Sequence, residues 1–227
     1  MLPWHNANLL YDISVWVVPV LIAIPLHEAA HGFAALMFGD DTAKKAGRLT
    51  ANPLRHVDVF GTLILPAMLL LLSGGKTAFG WAKPVPVEFW RLKPLRLGMV
   101  IVALAGPATN VVLAFLSLVL LRLSDSGPEG WQDWLGDTLI RSFQLNLILA
   151  AFNMLPLPPL DGGRVAVGLL PRVLAVPLAR TERYGMLILL LLLFVLPTVA
   201  DIHVLSYIVL VPAQALGSLL IQLVGLI

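Results

Sequence analysis

Apolar residues in this chain run in long blocks rather than alternating with polar ones. The blocks lie at about Leu9 to Phe38, Val57 to Ser73, Leu97 to Leu121, Thr138 to Leu157, Tyr184 to Val199 and Ile202 to Ile227. A bilayer's hydrocarbon core of roughly 30 Å takes about 20 helical residues to cross, and five of the blocks look able to do so. The second block is the short one. It carries Gly61 and Pro66, meets Gly74-Gly75, and leads into Phe79-Gly80-Trp81-Ala82-Lys83-Pro84-Val85-Pro86-Val87. Each proline there pushes the residue before it toward an extended conformation and withholds a backbone donor, so this stretch is predicted to be extended. The pattern predicts an all-α polytopic membrane protein with about five to six transmembrane helices, and a re-entrant or β-hairpin-like segment between the first and third apolar stretches.

Composition supports the membrane reading independently. Hydrophobic residues make up 59% of the 227 and charged ones 12%, against about 25% charged in soluble domains. With no cysteine, neither a disulfide framework nor a thiolate metal site is possible, so a transition metal must be held by His and carboxylate. The apolar N-terminal stretch has no Lys or Arg ahead of it, which is not the pattern of a cleaved signal peptide. The formal charge of +2 reflects loop lysines and arginines rather than nucleic-acid binding, and the apolar composition makes a lipid bilayer the expected partner. Thirteen of the fifteen Lys and Arg fall in three regions: Lys44 to Arg55, Lys76 to Arg96, and Arg164 to Arg183. Leu123 to Asp137 has Asp125, Glu129, Asp133 and Asp137 and no basic residue. The positive-inside rule puts the three basic regions in the cytoplasm and the acidic loop outside. The chain must then cross an even number of times between Phe38 and Leu97, which is why a returning unit is expected there.

Inside the first block sits His27-Glu28-Ala29-Ala30-His31. On a helix, positions four apart share a face, so both imidazoles can hold one metal while Glu28 points at water bound to it. Burying ionisable groups in hydrocarbon is costly, about 2.5 to 3.5 kcal/mol for a single charge on insertion scales, so a function is needed to retain three within five residues. Counting back from Phe38 puts His31 and His27 roughly 10 to 17 Å below the cytoplasmic surface. A catalytic zinc usually has three protein ligands and an open position. Candidates for the third are Asp12, Asp58, Asp161, Asp201, His56 and His203. Asp161 is the strongest, because Asn153-Met154-Leu155-Pro156-Leu157-Pro158-Pro159-Leu160-Asp161-Gly162-Gly163-Arg164 cannot stay helical through its prolines. Unwound backbone at membrane depth survives only in protein or beside a wet cavity.

Three motifs in this order, the HExxH of a membrane helix, Ala105-Gly106-Pro107-Ala108-Thr109-Asn110, and the proline-rich run ending in Leu160-Asp161-Gly162-Gly163, resemble the site-2 protease family of intramembrane zinc metalloproteases. Phe79 to Val87 resembles its minimal prokaryotic members, and no PDZ-like insert or CBS-like pair is recognisable. The resemblance implies that His27, His31 and Asp161 ligate one Zn2+, that Glu28 is the catalytic acid/base, and that Asn153 helps organise the site. The whole of 1–227 is then a single integral membrane metalloprotease domain, with a catalytic core at about 9–172 and additional helices at 184–227. The expected activity is hydrolysis of a peptide bond within or near a transmembrane segment of a single-span membrane protein. The active site is expected nearer the cytoplasmic side of the plasma (inner) membrane, and a homo-oligomer is possible. Substrate contacts are expected from Asn110, Phe79, Gly80, Trp81, Lys83, Pro84 and Val85, the extended segment serving as an edge for an unwound substrate. Lys83 also suits head-group snorkelling, and Asn110 also suits helix packing. The alternative function is a membrane metal-ion transporter or metal-binding protein using the same His/Asp cluster.

Overall fold

The computed structural model describes residues 9–72, 80–124, 131–195 and 204–225, and among these every regular element is helical. The long helices are α1 (Leu9–Met37), α4 (Leu95–Leu123), α5 (Trp131–Asn153) and α9 (Val204–Val224). The shorter ones are α2 (Thr42–Lys45), α3 (Leu65–Leu72), α6 (Asp161–Leu169), α7 (Arg172–Arg180) and α8 (Glu182–Leu190). Among the described residues, three helices (α1, α4 and α9) are long and apolar enough to cross a membrane. That is fewer than the five to six expected, and the reasons differ by element. α5 has 23 residues, but Asp133, Asp137, Arg141 and Asn146 dilute its apolar character. Part of its polar surface meets neighbours: Tyr11 donates to Asp137 at 2.8 Å, Trp134 donates to Ser14 at 2.8 Å, and Asn146 is buried, while Asp133 is exposed. Among the described residues, the second apolar block folds as a six-residue π-helical turn, Val59–Ile64, running into the eight residues of α3, which together fall short of a membrane span.

α1, α4 and α5 pack together as the central unit. Lipid tails are as apolar as leucine, so helices in a bilayer gain by close backbone approach rather than by hiding large side chains. The contact surfaces are accordingly small: Ala23, Ala29, Ala34 and Ala35 on α1, Ala103, Gly106 and Ala114 on α4, Ala150 on α5, all buried. Large side chains such as Leu21, Ile22, Phe33, Val112, Phe115 and Leu120 point outward. α9 closes the other side of α4 and α5 through Ala213 and Leu220 against Ala114, Leu118 and Leu147. Leu189 of α8 and Val209 of α9 pack on Leu155, so the C-terminal helices enclose the proline-rich turn after α5.

Residues 80–88 run extended beside α1, with Val85 against Glu28 and Glu88 against Asp40 just beyond the helix. They are held from one side: Trp81 N–H donates to the Gly61 carbonyl at 3.1 Å, Thr62 Oγ1 donates to the Trp81 carbonyl at 2.9 Å, and Lys83 N–H donates to the His56 carbonyl at 2.9 Å. The Trp81 ring stands 5.9 Å from that of Phe60. No strand ladder forms among the described residues, as expected where Pro84 and Pro86 offer no N–H. Phe79, and with it the first part of the anticipated return, lies outside the described residues.

Candidate metal centre

His27 and His31 leave α1 on the same face one turn apart, and their Nε2 atoms approach to 3.0 Å. Asp161 reaches them from the start of α6, with Oδ2 at 3.3 Å from each Nε2. The sequence brings it there by failing to remain helical. α5 stops at Asn153, residues 154–160 close short turns such as Leu160 N–H to the Leu157 carbonyl at 2.9 Å, and α6 then starts at Asp161. Gly162 and Gly163 are required at this start, because a Cβ on either would collide with the backbone of the turn they pack against. Gly106 of α4 has a similar role, since a Cβ there would run into both imidazoles.

The other ring nitrogens fix what the three atoms can do. His31 Nδ1 lies 2.7 Å from the Val102 carbonyl, an acceptor only, so it carries the proton and Nε2 presents a lone pair. His27 Nδ1 lies 2.5 Å from Asn110 Oδ1. Asn110 Nδ2 donates to Asn146 Oδ1 at 2.8 Å, and Asn146 Nδ2 donates to the Ser142 carbonyl at 2.8 Å. Asp161 Oδ2 is buried with no hydrogen-bond donor among the described residues. Two imidazole nitrogens and a carboxylate oxygen therefore converge on one point, and a bound cation makes such a buried cluster favourable. Zinc fits it: tetrahedral coordination with bonds of about 2.0 to 2.2 Å separates ligand atoms by roughly 3.3 Å, close to the separations seen here.

Beside the cluster, Glu28 accepts the backbone N–H of Val85 through Oε2 at 2.7 Å. The extended segment is pinned from its other flank by Arg48, a buried guanidinium that donates to the carbonyls of Arg55, Lys83 (2.7 Å) and Pro84 (3.3 Å). The remaining expected site residues fall as follows. Asn110, anticipated as a substrate contact or a packing residue, is fully buried between His27 and Asn146. Asn153 donates back to the Leu149 carbonyl at 3.0 Å. Gly80, Lys83 and Pro84 are exposed, Trp81 is half-buried against the π-helical turn, and Val85 is buried. Of the other ligand candidates, Asp12 is exposed, Asp58 caps the π-helical turn, His56 contacts the Thr50 carbonyl at 2.9 Å, and Asp201 and His203 lie outside the described residues. Asn146, Gly106 and Arg48 were not singled out as site residues by sequence reasoning. A signal existed for the first two, because Gly106 with Asn110 and Ser142 with Asn146 are four-residue pairs on one helix face.

A two-histidine, one-carboxylate cation site with a second carboxylate alongside, buried among membrane-length helices, is the arrangement of a membrane metalloenzyme. The comparisons agree with this. Residues 131–196 match the model of peptidase family M50. The chain is 43% identical over 185 residues to "Putative zinc metalloprotease YwhC" of Bacillus subtilis, covering 80% of each chain. It is 34% identical over 199 residues to "Putative zinc metalloprotease Rip2" of Mycolicibacterium smegmatis, covering 85% of this chain and 73% of that one. No solved structure matches it. The chain belongs to peptidase family M50, the site-2 protease family of membrane zinc metalloproteases. That similarity does not favour the transporter alternative.

Proposed function

We propose that this protein is an intramembrane endopeptidase that uses one zinc ion to hydrolyse a peptide bond in or near the transmembrane segment of single-span membrane proteins, from a site nearer the cytoplasmic face. The observation that carries this reading is the convergence of His27 Nε2, His31 Nε2 and Asp161 Oδ2 inside a helix bundle of membrane length. His27, His31 and Asp161 would hold the zinc, which when bound would acidify a water and polarise the scissile carbonyl. Glu28 is the group that takes a proton from the attacking water and returns it to the departing amine. The Val85 N–H fixes Oε2 of Glu28 and leaves its other oxygen for this transfer. Asn153 supplies a neutral donor to the oxyanion by releasing the Leu149 carbonyl, which it now holds.

A helical substrate keeps its carbonyls in its own hydrogen bonds and must be unwound before it can be cut. The segment from Phe79 to Val87 serves this step as an edge, with Gly80, Trp81, Lys83, Pro84 and Val85 along it. Its backbone groups at 81 and 83 bond to the protein, so Ala82 between them is the one that faces a guest strand. The test is co-reconstitution of the purified protein with candidate single-span substrates in proteoliposomes, with fragments mapped by mass spectrometry. Wild type should cut within or beside the span, and Glu28→Gln should keep its zinc and lose about 10²- to 10⁴-fold in rate. Equal cleavage by the two proteins would overturn the mechanism.

A further inference from the structure

The hydrogen bonds behind His27 have a direction. The Ser142 carbonyl, at the far end, can only accept, so Asn146 must turn its amide nitrogen toward it, at 2.8 Å. That leaves Asn146 Oδ1 facing Asn110, which must answer with Nδ2, also at 2.8 Å. Asn110 Oδ1 is thereby the atom presented to His27, and an oxygen there demands a proton on Nδ1. Asn110 is 0% and Asn146 1% exposed, so no solvent competes for these positions. An unpaired buried amide would be costly, which is what holds the order of the chain. Three helices contribute to it: α1 gives His27, α4 gives Asn110, and α5 gives Asn146 and Ser142.

We propose that Asn146 is a positioning residue for the metal centre: through Asn110 it fixes the Nδ1–H tautomer of His27 and so keeps the Nε2 lone pair aimed at the cation. Without the acceptor at Asn146, the Asn110 amide is free to turn over. A turned amide presents N–H to His27 Nδ1 and moves the imidazole proton onto Nε2, the atom the metal needs. His31 needs no such device, because the Val102 carbonyl accepts directly. Partners of this kind behind a ligating histidine typically contribute 10- to 100-fold in metal affinity.

This inference rests on His27 being a zinc ligand, and the experiment separates the two. Zinc affinity of the purified full chain in detergent is measured by chelator competition, and the His27 tautomer is read by nitrogen-15 NMR of the metal-free protein. Wild type should bind zinc with His27 protonated on Nδ1. Asn146→Leu, branched in the same way but without an acceptor, should weaken zinc binding 10- to 100-fold and populate the Nε2–H form. The double variant Asn110→Asp/Asn146→Leu should recover most of the affinity, because a carboxylate accepts from His27 however it is turned. A merely structural role for Asn146 would not be rescued in this way. If Asn146→Leu does not fold, Asn146→Asp, whose neutral carboxyl keeps both the donor to the Ser142 carbonyl and the acceptor for Asn110, should hold the wild-type tautomer and affinity. Wild-type affinity and tautomer in Asn146→Leu, or no rescue by the double variant, would overturn the proposal. Failure of the wild type to bind zinc would instead refute the metal-centre reading.

Discussion

Replacing Gly106 by alanine tests the centre at its tightest point. A Cβ built on Gly106 would stand 2.6 Å from both Cε1 and Nε2 of His27, and closer still to Nε2 of His31. Ordinary contact begins near 3.4 Å, so the His27 ring must retreat by about 0.8 Å if α4 holds its place, several times the ±0.2 Å that metal coordination tolerates. Overpacking of this kind costs about 1 to 3 kcal/mol, and the strain is relieved by moving imidazoles away from the cation position. At 1.4 kcal/mol per tenfold, zinc affinity should fall about 5- to 150-fold. Chelator-competition titration of Gly106→Ala in detergent measures this, with a thermal melt of the metal-free protein alongside. Gly98→Ala is the control: its Cβ would meet Leu92 Cβ at 2.9 Å and Phe38 at 3.3 Å, a comparable collision on the same helix but away from the histidines. It should lower the melting temperature and leave zinc affinity alone. Wild-type affinity in Gly106→Ala, or an equal loss in Gly98→Ala, would refute the reasoning.

Asp161→Ala should remove most of the bound zinc, measured by atomic absorption, and full retention would exclude Asp161 as a ligand. Arg48→Met should leave the carbonyls of Arg55, Lys83 and Pro84 without their donor at a cost of about 1 to 3 kcal/mol, read as hydrogen exchange at residues 81–85 rising about 5- to 150-fold, and unchanged exchange would deny Arg48 its clamping role. Burial works against the Asp40 carboxylate, but the Thr42 hydroxyl, the amides of Glu88 and Thr42 and the Arg91 guanidinium outweigh it and hold its pKa below the usual value. The stabilisation this lends the junction between α1 and residues 88–91 is complete above the unfolded carboxylate value of about 3.9 and is lost as pH falls through the depressed folded value. Melting temperature should therefore drop more steeply below pH 4 in wild type than in Asp40→Asn, and parallel curves would contradict this assignment.

Much of the centre was legible in the sequence because its rules are local. Helical periodicity alone puts His27 and His31 on one face, and prolines at 156, 158 and 159 end α5 whatever packs around it. Composition and block length alone define a membrane protein, since no soluble fold tolerates such runs. Span count was less legible: the polar groups of α5 look like exposure to water in a one-dimensional average, and only the packing shows that Trp134 and Asp137 bond to α1 and that Ser142 and Asn146 bond to α4. Tertiary structure also decided which acid joins the histidines, because a side chain 130 residues away along the chain is brought to them by the docking of α6 on α4, not by any local preference. The same holds for the partners behind the ligands. That Asn110 and Asn146 meet, that Val102 offers its carbonyl to His31, and that Val85 gives its N–H to Glu28 all depend on helices approaching closely enough for short polar side chains to touch. Sequence supplies the small residues that allow that approach, and the three-dimensional register of α1, α4 and α5 determines which polar atoms it brings within hydrogen-bonding distance.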